Sequence, residues 1–411
     1  MTPGAIRLGL PWRMPHYRPL NGSHPLMESF LHGNAAVWAT DLDRDVPASQ
    51  AQRAAVLLQL TRQARRLPHE STGKLIEWLD VDAQFSIEAQ ASRHDALFLH
   101  TTPLHAGTQP WVFHFESMAS LFMPFLFTGN TTGVDLASQG YFKLVHEALE
   151  SPACRHIFSH MRGSLETLCR VFDSPLIASK CRHVPLGIRC HESGVATSKF
   201  DRPGPLRILF TNSLHQDPRS FYLRGGHHLL AAFARLRETK PDIELTVLSS
   251  VPTDLQQRFA KAQLTGVNWI SERIDDATLE QLLLEHHLFA LPAAGLHSYS
   301  LLRALAHGCV PIVSDAVGYD EFTGGIEDSV LTLRGVRALV YRAEPGGWCS
   351  EDYAPFVAQS NDFARQIHDQ VLEHSELPQL RALAQRNLGH CLRNFNVEQS
   401  QSAFNGLLRQ L

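Results

Sequence analysis

The sequence predicts an α/β protein built from two doubly wound parallel-sheet domains. Three observations predict it. Short apolar runs alternate with helical patterns, a polar Gly/Pro stretch at 189–206 breaks the alternation, and the alternation then restarts. Strands alternating with helices form parallel sheets covered on both faces. At roughly 150 residues per domain, 411 residues suit two or three domains.

In the first half, "AIRLGLPW" (5–12) reads as a first strand and "SQAQRAAVLLQLTRQARRL" (49–67) as an amphipathic helix. "DALFLH" (95–100) and "PWVFHFE" (110–116) are apolar runs bounded by turn residues, hence buried strands. "CRHIFSHMRGSLETLCRVF" (154–172) reads as strand, loop and helix, and "CRHVPLGI" (181–188) as a strand. The second half restarts with the strand "RILFTN" (207–212). A helix over 225–242 stops near Pro241, and "IELTVLSS" (243–250) is the next strand. The helix at 275–287 opens on Asp residues, which suit the positive end of its dipole. "LFALPA" (288–293) and "CVPIVSD" (309–315) complete the strands. The expected domains are 1–200, with a linker at about 189–206, and 205–390; residues 391–411 form a helix expected to pack back toward the first domain.

Composition narrows the function. A net charge of -4 without a long basic run argues against a nucleic-acid scaffold. Seven Cys, an odd number with no C-x-x-C, argue against a disulfide framework or zinc ribbon and fit a reducing cytoplasm. The N-terminus lacks an apolar signal-peptide core. "MASLFMPFLFTG" (118–129) is too short to cross a bilayer, so no transmembrane segment is expected and peripheral membrane contact stays open.

Several motifs carry no chemistry. "ESTGKL" (70–75) lacks the first Gly of a Walker A loop, and no G-x-G-x-x-G follows a strand. Asp41 with Asp43 and Asp80 with Asp82 form D-x-D pairs that could hold a metal against a diphosphate, but such pairs are frequent by chance. His227–His228 and His286–His287 lack metal-ligand spacing and read as core or helix-surface residues. No metal site is expected.

Three segments carry more. "RGG" (224–226) opens a helix: Gly225 lets backbone approach a ligand closely, the helix N-terminus favours an anion, and Arg224 suits phosphate, although such a stretch can also be a plain turn. "HSYS" (297–300) opens another helix, where Ser298, Tyr299 and Ser300 could cap it or grip an anion. "FHFES" (113–117) ends a strand, and ligands of open α/β sheets sit beyond carboxyl strand ends. His114 and Glu116 share a face of that strand; the alternative is a core His beside a surface Glu.

In order, these segments resemble GT-B glycosyltransferases of the family 4 type. "FYLRGGHHLLAAFARLRETKPDIELTVLSS" (221–250) is similar to that family's segment beginning Lys-Gly, and "ISERIDDATLEQLLLEHHLFALPA" (270–293) to the stretch leading to "LPS". "RALAHGCVPIVSDAVGYDEF" (303–322) is similar to "EAxAxGxPVVxTxxGGxxE". The resemblance covers about 200–400 well and the first half by landmarks. It implies two Rossmann-like domains facing a central cleft, the second holding a nucleoside-diphosphate sugar and the first an acceptor. It implies sugar transfer, with retention, needing no metal or cofactor beyond that co-substrate.

By the same resemblance, Arg224 stands where the family has a phosphate-contacting Lys, Arg219 stands in for an upstream Arg, and His114 falls near the acceptor-domain His, with Glu116 beside it. The family's two Glu residues, eight apart, are replaced. A gapless alignment puts Gly295 and Arg303 there; matching "HSYS" to "EGFG" puts His297 at the first position. Asp320 or Glu321 sits near the family's later Glu. The lost carboxylates motivate two alternatives: an inactive GT-B-fold binding or partner subunit, and an epimerase acting without an acceptor.

Overall fold

The computed structural model describes residues 4–11, 25–65, 81–101, 103–122, 131–212, 219–258 and 264–411. The 70–75 stretch and Asp80 lie outside them, as does most of the apolar 118–129 run. The chain divides into two compact units. One comprises Met1–Gly187, Ala343–Ser350 and Val397–Leu411; the other comprises Ile188–Arg342 and Glu351–Asn396.

The first unit is built on a six-stranded parallel sheet: β1 (Ile6–Leu10), β2 (Val37–Asp41), β3 (Ala96–His100), β4 (Trp111–His114), β5 (Cys154–Ser159) and β6 (Cys181–His183). The order β2-β1-β3-β4-β5-β6 places a switch point between β1 and β3, and ligands of open α/β sheets bind at the carboxyl strand ends beside such a point. β3 and β4 are buried throughout, which explains their unbroken apolar sequence. The strand expected over 181–188 pairs only at Cys181–His183, because Pro185 has no amide to extend a ladder.

Helix α1 (Pro25–Leu31) packs against the C-terminal helix, and α2 (Gln50–Ala64) starts at a capping box formed by Ser49 and Gln52. The amphipathic reading of α2 holds in period but not in burial. Leu57 and Leu58 are 49% and 54% exposed, and only Val56 and Gln63 are buried. Helices α3 (Val81–Gln90), α4 (Gly140–Glu150) and α5 (Arg162–Phe172) cover the sheet; Leu144, Leu165 and Leu168 join Phe113, Phe115 and Ile157 in one core.

The second sheet contains β7 (Arg207–Thr211), β8 (Glu244–Leu248), β9 (Val267–Ile270), β10 (Leu288–Leu291), β11 (Val310–Ser314) and β12 (Leu331–Leu333), all parallel. Their order, β12-β11-β10-β7-β8-β9, is the doubly wound order with its switch point between β7 and β10. Helices α6 (Gly226–Thr239), α7 (Asp276–Glu285) and α8 (Ser298–Ala306) follow β7, β9 and β10. Asp275 caps α7 by accepting from the Thr278 amide at 2.8 Å, and α6 stops before Pro241. Short helices α9 (Tyr319–Thr323) and α10 (Val336–Val340) precede the long helices α11 (Ser360–Glu373) and α12 (Leu377–Asn394).

The final helix α13 (Val397–Leu408) belongs to the first unit. Its Phe404 packs against Phe30, Phe98 and Phe158, with ring centroids 5.3–5.5 Å away.

The aperiodic 189–206 stretch is not bare coil. Ser193–Thr197 is helical and Ser198–Asp201 is a 3-10 turn. Lys199 is buried, and its ammonium donates to the carbonyls of Leu283 and His307 at 2.8 and 2.9 Å. Periodicity could not reveal this because the segment is held by single buried side chains rather than an apolar face.

Candidate functional site

Two constellations gather the residues singled out by sequence, one in each unit. In the first unit, His100, His114 and His160 lie at the carboxyl ends of the adjacent strands β3, β4 and β5. His114 is fully buried under Phe158, ring centroids 5.1 Å apart. Its Nδ1 is 3.0 Å from His100 Nδ1 and its Nε2 is 3.0 Å from His160 Nδ1. Each nitrogen pair shares one proton, so a neutral His114 donates to one neighbour and accepts from the other. The three rings form a chain along which a proton can pass by tautomer exchange. His160 Nε2 lies 3.9 Å from Glu116 Oε1, and the Glu116 side chain is 28% exposed. Glu116 is therefore the solvent-reaching carboxylate beside the chain, beyond direct hydrogen-bond distance of it.

His100 pairs in register with His114, and the Thr101 amide donates to the His114 carbonyl at 3.0 Å. Thr101 has φ 68, a conformation a β-branched residue adopts only under strain. Backbone strain thus sits beside the His chain, next to the β1/β3 switch point. Further along the same loop His105 is buried, and burial alone pushes its pKa down to about 4. Sequence reasoning picked out His114 and Glu116 but missed His100 and His160. The signal was present: "DALFLH", "WVFH" and "IFSH" each end an apolar run in His.

In the second unit the RGG loop follows β7 and meets the loop after β10. Gly225 has φ 75, and a Cβ there would lie 2.2 Å from the Pro292 carbonyl oxygen. A Cβ on Gly226 would lie 2.5 Å from the Phe221 ring. The Ala294 amide donates to the Leu223 carbonyl at 2.8 Å, which fixes the two loops together. Gly225 is thus required by close approach across the switch point, and Gly226 by close approach to Phe221 of its own segment. Arg219 and Arg224 flank the turn Ser220–Leu223.

Arg224 lies close enough to the buried Tyr319 to oppose the upward push of burial on that phenol. The Tyr319 hydroxyl is 3.5 Å from the Gly295 carbonyl oxygen, and Tyr341 donates to the Ala294 carbonyl at 2.7 Å. A Cβ on Gly295 would lie 4.0 Å from the Tyr353 hydroxyl, which hydrogen-bonds Glu351. Burial pushes the Glu351 carboxyl up, while the Tyr353 bond pulls it down. Tyr319, Tyr341, Tyr353 and Glu351 went unnoticed in the sequence. They come from segments 24–58 residues downstream of Gly295, with no spacing rule to link them.

Helix α8 begins at Ser298 with His297 at its N-cap. Ser298 is buried, while Tyr299 and Ser300 are half-buried. Arg303, one turn on, is turned to another element: it pairs with Asp276 on α7 at 3.0 Å and lies 5.9 Å over the Tyr299 ring. Asp320 pairs with Arg337 at 3.3 Å, and half-buried Glu321 donates its amide to the Gly318 carbonyl. A cavity of about 140 Å³ beyond β11 is lined by Asp315, Tyr319, Asp320, Arg334 and Arg337. The Asp315 carboxylate accepts from the amides of Gly335, Val336 and Arg337 at 2.9–3.1 Å, so it caps α10.

The His pairs are packed inside the second unit. His286 Nε2 meets the Thr246 hydroxyl at 2.8 Å, His287 Nδ1 accepts from the Arg207 amide at 3.1 Å, and His227 Nε2 meets the Val357 carbonyl at 3.2 Å. Asp41 and Asp43 are exposed at the end of edge strand β2. All seven cysteines are free thiols. Among the described residues, no helix is long and apolar enough to cross a membrane.

Two parallel six-stranded sheets with covering helices define the GT-B fold, which this chain has. No protein-family model and no curated protein sequence matches the chain. Solved structures do match. The chain is similar to Anabaena Alr3699/HepE in complex with UDP and glucose, at 12% identity and TM-score 0.57, covering 99% of this chain and 100% of that one. It is similar to the α,α-trehalose 6-phosphate synthase of Burkholderia multivorans, at 11% identity and TM-score 0.57, over 99% and 98% of the chains. It also matches the sucrose-phosphate synthase of Thermosynechococcus elongatus, at 15% identity and TM-score 0.56, over 82% and 79%.

Proposed function

We propose that the protein is a glycosyltransferase that moves a sugar from a nucleoside-diphosphate sugar to an acceptor with retention. The observation that carries the reading is the seam at the β7/β10 switch point. There Gly225 is pressed on Pro292, and Arg224 stands beside Tyr319 and the Gly295 loop. Arg224, with Arg219 and the N-terminus of α8, would hold the diphosphate and stabilise charge as it leaves. Fixed cationic groups of this kind let transfer proceed without a metal at the diphosphate, and without a further cofactor. The first unit would hold the acceptor. In this reading His114 is a relay within the protein, and Glu116 is the group that meets the acceptor. The similar structures include a complex with UDP and glucose and two sugar-phosphate synthases, which supports the substrate class.

The free thiols suit a cytoplasmic enzyme of polysaccharide or glycoconjugate assembly. Its acceptor would be a glycan, a lipid-linked sugar or a small molecule.

The test is thermal stabilisation of the purified protein by UDP-, GDP- and ADP-sugars. Saturation at about 100 times Kd should add roughly 2.7 kcal/mol to stability. Arg224→Ala should remove most of that shift. If no nucleotide or nucleotide-sugar stabilises the wild type, the reading fails. A second reading, a nucleotide-binding protein without turnover, is favoured by the absence of any carboxylate at Gly295, His297 and Arg303 and by the Arg303–Asp276 pair. Nucleotide binding with no sugar transfer or donor hydrolysis, in wild type as in His114→Gln, would decide for it.

A further inference from the structure

A second cluster lies within the second unit, at the far end of α8 from the residues assigned to the donor. His191, Glu280 and His307 bring one ligand atom each within 4.8 Å of one another. They come from three separate segments: the chain before β7, helix α7, and the residue that ends α8. No sequence spacing announces them.

The cluster is built rather than accidental. His307 is 97% buried (3% exposed), and its Nδ1 lies 2.7 Å from the Arg303 carbonyl oxygen. A carbonyl only accepts, so the proton sits on Nδ1 and the lone pair on Nε2. That Nε2 is buried and has no hydrogen-bond partner. A buried imidazole nitrogen with its tautomer fixed by a carbonyl is the arrangement of a metal-ligating His. His191 faces it, ring centroids 4.6 Å apart at 63°. The backbone beneath is pinned: the His191 amide donates to the Ala306 carbonyl at 3.2 Å. Gly308 has φ 67, and a Cβ there would lie 2.7 Å from the Ala196 carbonyl oxygen.

We propose that His191, Glu280 and His307 form a binding site for a divalent transition-metal ion, zinc by its donor set. Two imidazoles and one carboxylate suit Zn²⁺, Ni²⁺ or Co²⁺ and do not suit Mg²⁺ or Ca²⁺, which prefer all-oxygen shells. Bonds of about 2.0–2.2 Å would draw the three atoms closer than they stand. Glu280 is exposed and His191 only half-buried, so both can move toward the fixed His307. Glu280 would bring a negative charge to the ion. Three protein ligands leave one position for water. The ion would staple the segment at 191 to α7 and α8, and its charge would complement the carbonyl end of α8.

The test uses the full chain, stripped with a chelator and exchanged into metal-free buffer. Calorimetric titration with Zn²⁺ should show one tight site per chain, and Co²⁺ should give the intense visible absorption of four-coordinate cobalt. His191→Gln and Glu280→Gln, both at solvent-reaching positions, should each weaken Zn²⁺ binding by roughly tenfold or more, and the double variant should lose the cobalt band. His368→Gln, at a half-buried His on α11 away from the cluster, should leave both readouts unchanged. Mg²⁺ should not compete. Absence of stoichiometric Zn²⁺ binding, or unchanged affinity in His191→Gln and Glu280→Gln, would overturn the assignment. Nucleotide binding is not a readout here, so the outcome is separate from the donor-site test.

Discussion

Replacing Gly225 by Ala should strongly destabilise the second unit. Two costs add. A residue with a side chain at φ 75 costs roughly 1–2 kcal/mol. The new methyl carbon would start 2.2 Å from the Pro292 carbonyl oxygen, about 1 Å inside normal contact. Backbone on both sides must shift to relieve it, which costs about 1–3 kcal/mol more. For a unit of this size each kcal/mol lowers Tm by roughly 2–4 °C, so the transition of that unit should fall by about 5–20 °C. Differential scanning calorimetry of the full chain reads this directly. Gly194→Ala is the internal control: it lies in a short helix with nothing within 4 Å of the added carbon and no positive φ. That change should be neutral or stabilising by about 0.4–1 kcal/mol. If Gly225→Ala melts within 2 °C of wild type, the two loops are not in the contact described, and the seam offered as the donor site loses its basis.

Acid should weaken the fold through buried imidazoles. His105, His227 and His287 are held neutral by burial with pKa values of about 4, whereas an unfolded His titrates near 6.5. The unfolded chain therefore binds more protons below pH 6.5, so stability should be flat above that value and fall from about 6.5 toward 4. Unfolding at pH 5 should take up about three protons from these groups, measurable from the pH dependence of the urea midpoint; a midpoint unchanged between pH 7 and 5 would refute this. Lys199→Met should cost roughly 1–3 kcal/mol, because it removes the buried ammonium from the His307 carbonyl and leaves the Leu283 carbonyl only the weak Cys309 thiol donor. A urea midpoint matching wild type would show that those carbonyls find other partners.

Much of the architecture was legible because period is a backbone property. Runs such as "ALFLH" and "VPIVS" are buried on both faces of a parallel strand and cannot alternate, so they stand out. Strands β2 and β9 were not legible. "VWATD" sits on an edge and "VNWI" carries exposed Trp269, so neither has a continuous apolar run. Helix α2 shows the reverse: its period was plain, but period does not say whether a face is covered.

The sites divide in the same way. "RGG" was legible as a place where backbone comes close, since only glycine permits φ 75 against Pro292. What comes close there is another loop of the protein, which a sequence cannot specify. Arg303 looked available to an anion because its partner Asp276 lies 27 residues upstream on a different helix. The His chain and the His191–Glu280–His307 cluster depend on side chains brought together by three strands or three segments. Pairwise spacing has no reach over that distance.

The route of the chain sets an order of assembly. Phe404 closes the ring of Phe30, Phe98 and Phe158 that lies over His114, yet it follows the second unit in the chain. During synthesis the sheet that holds the three histidines is made before the second unit, and Phe404 after it. Its aromatic lid is translated only after the whole of the second unit, so that unit can complete its own core while the first still waits for Phe404.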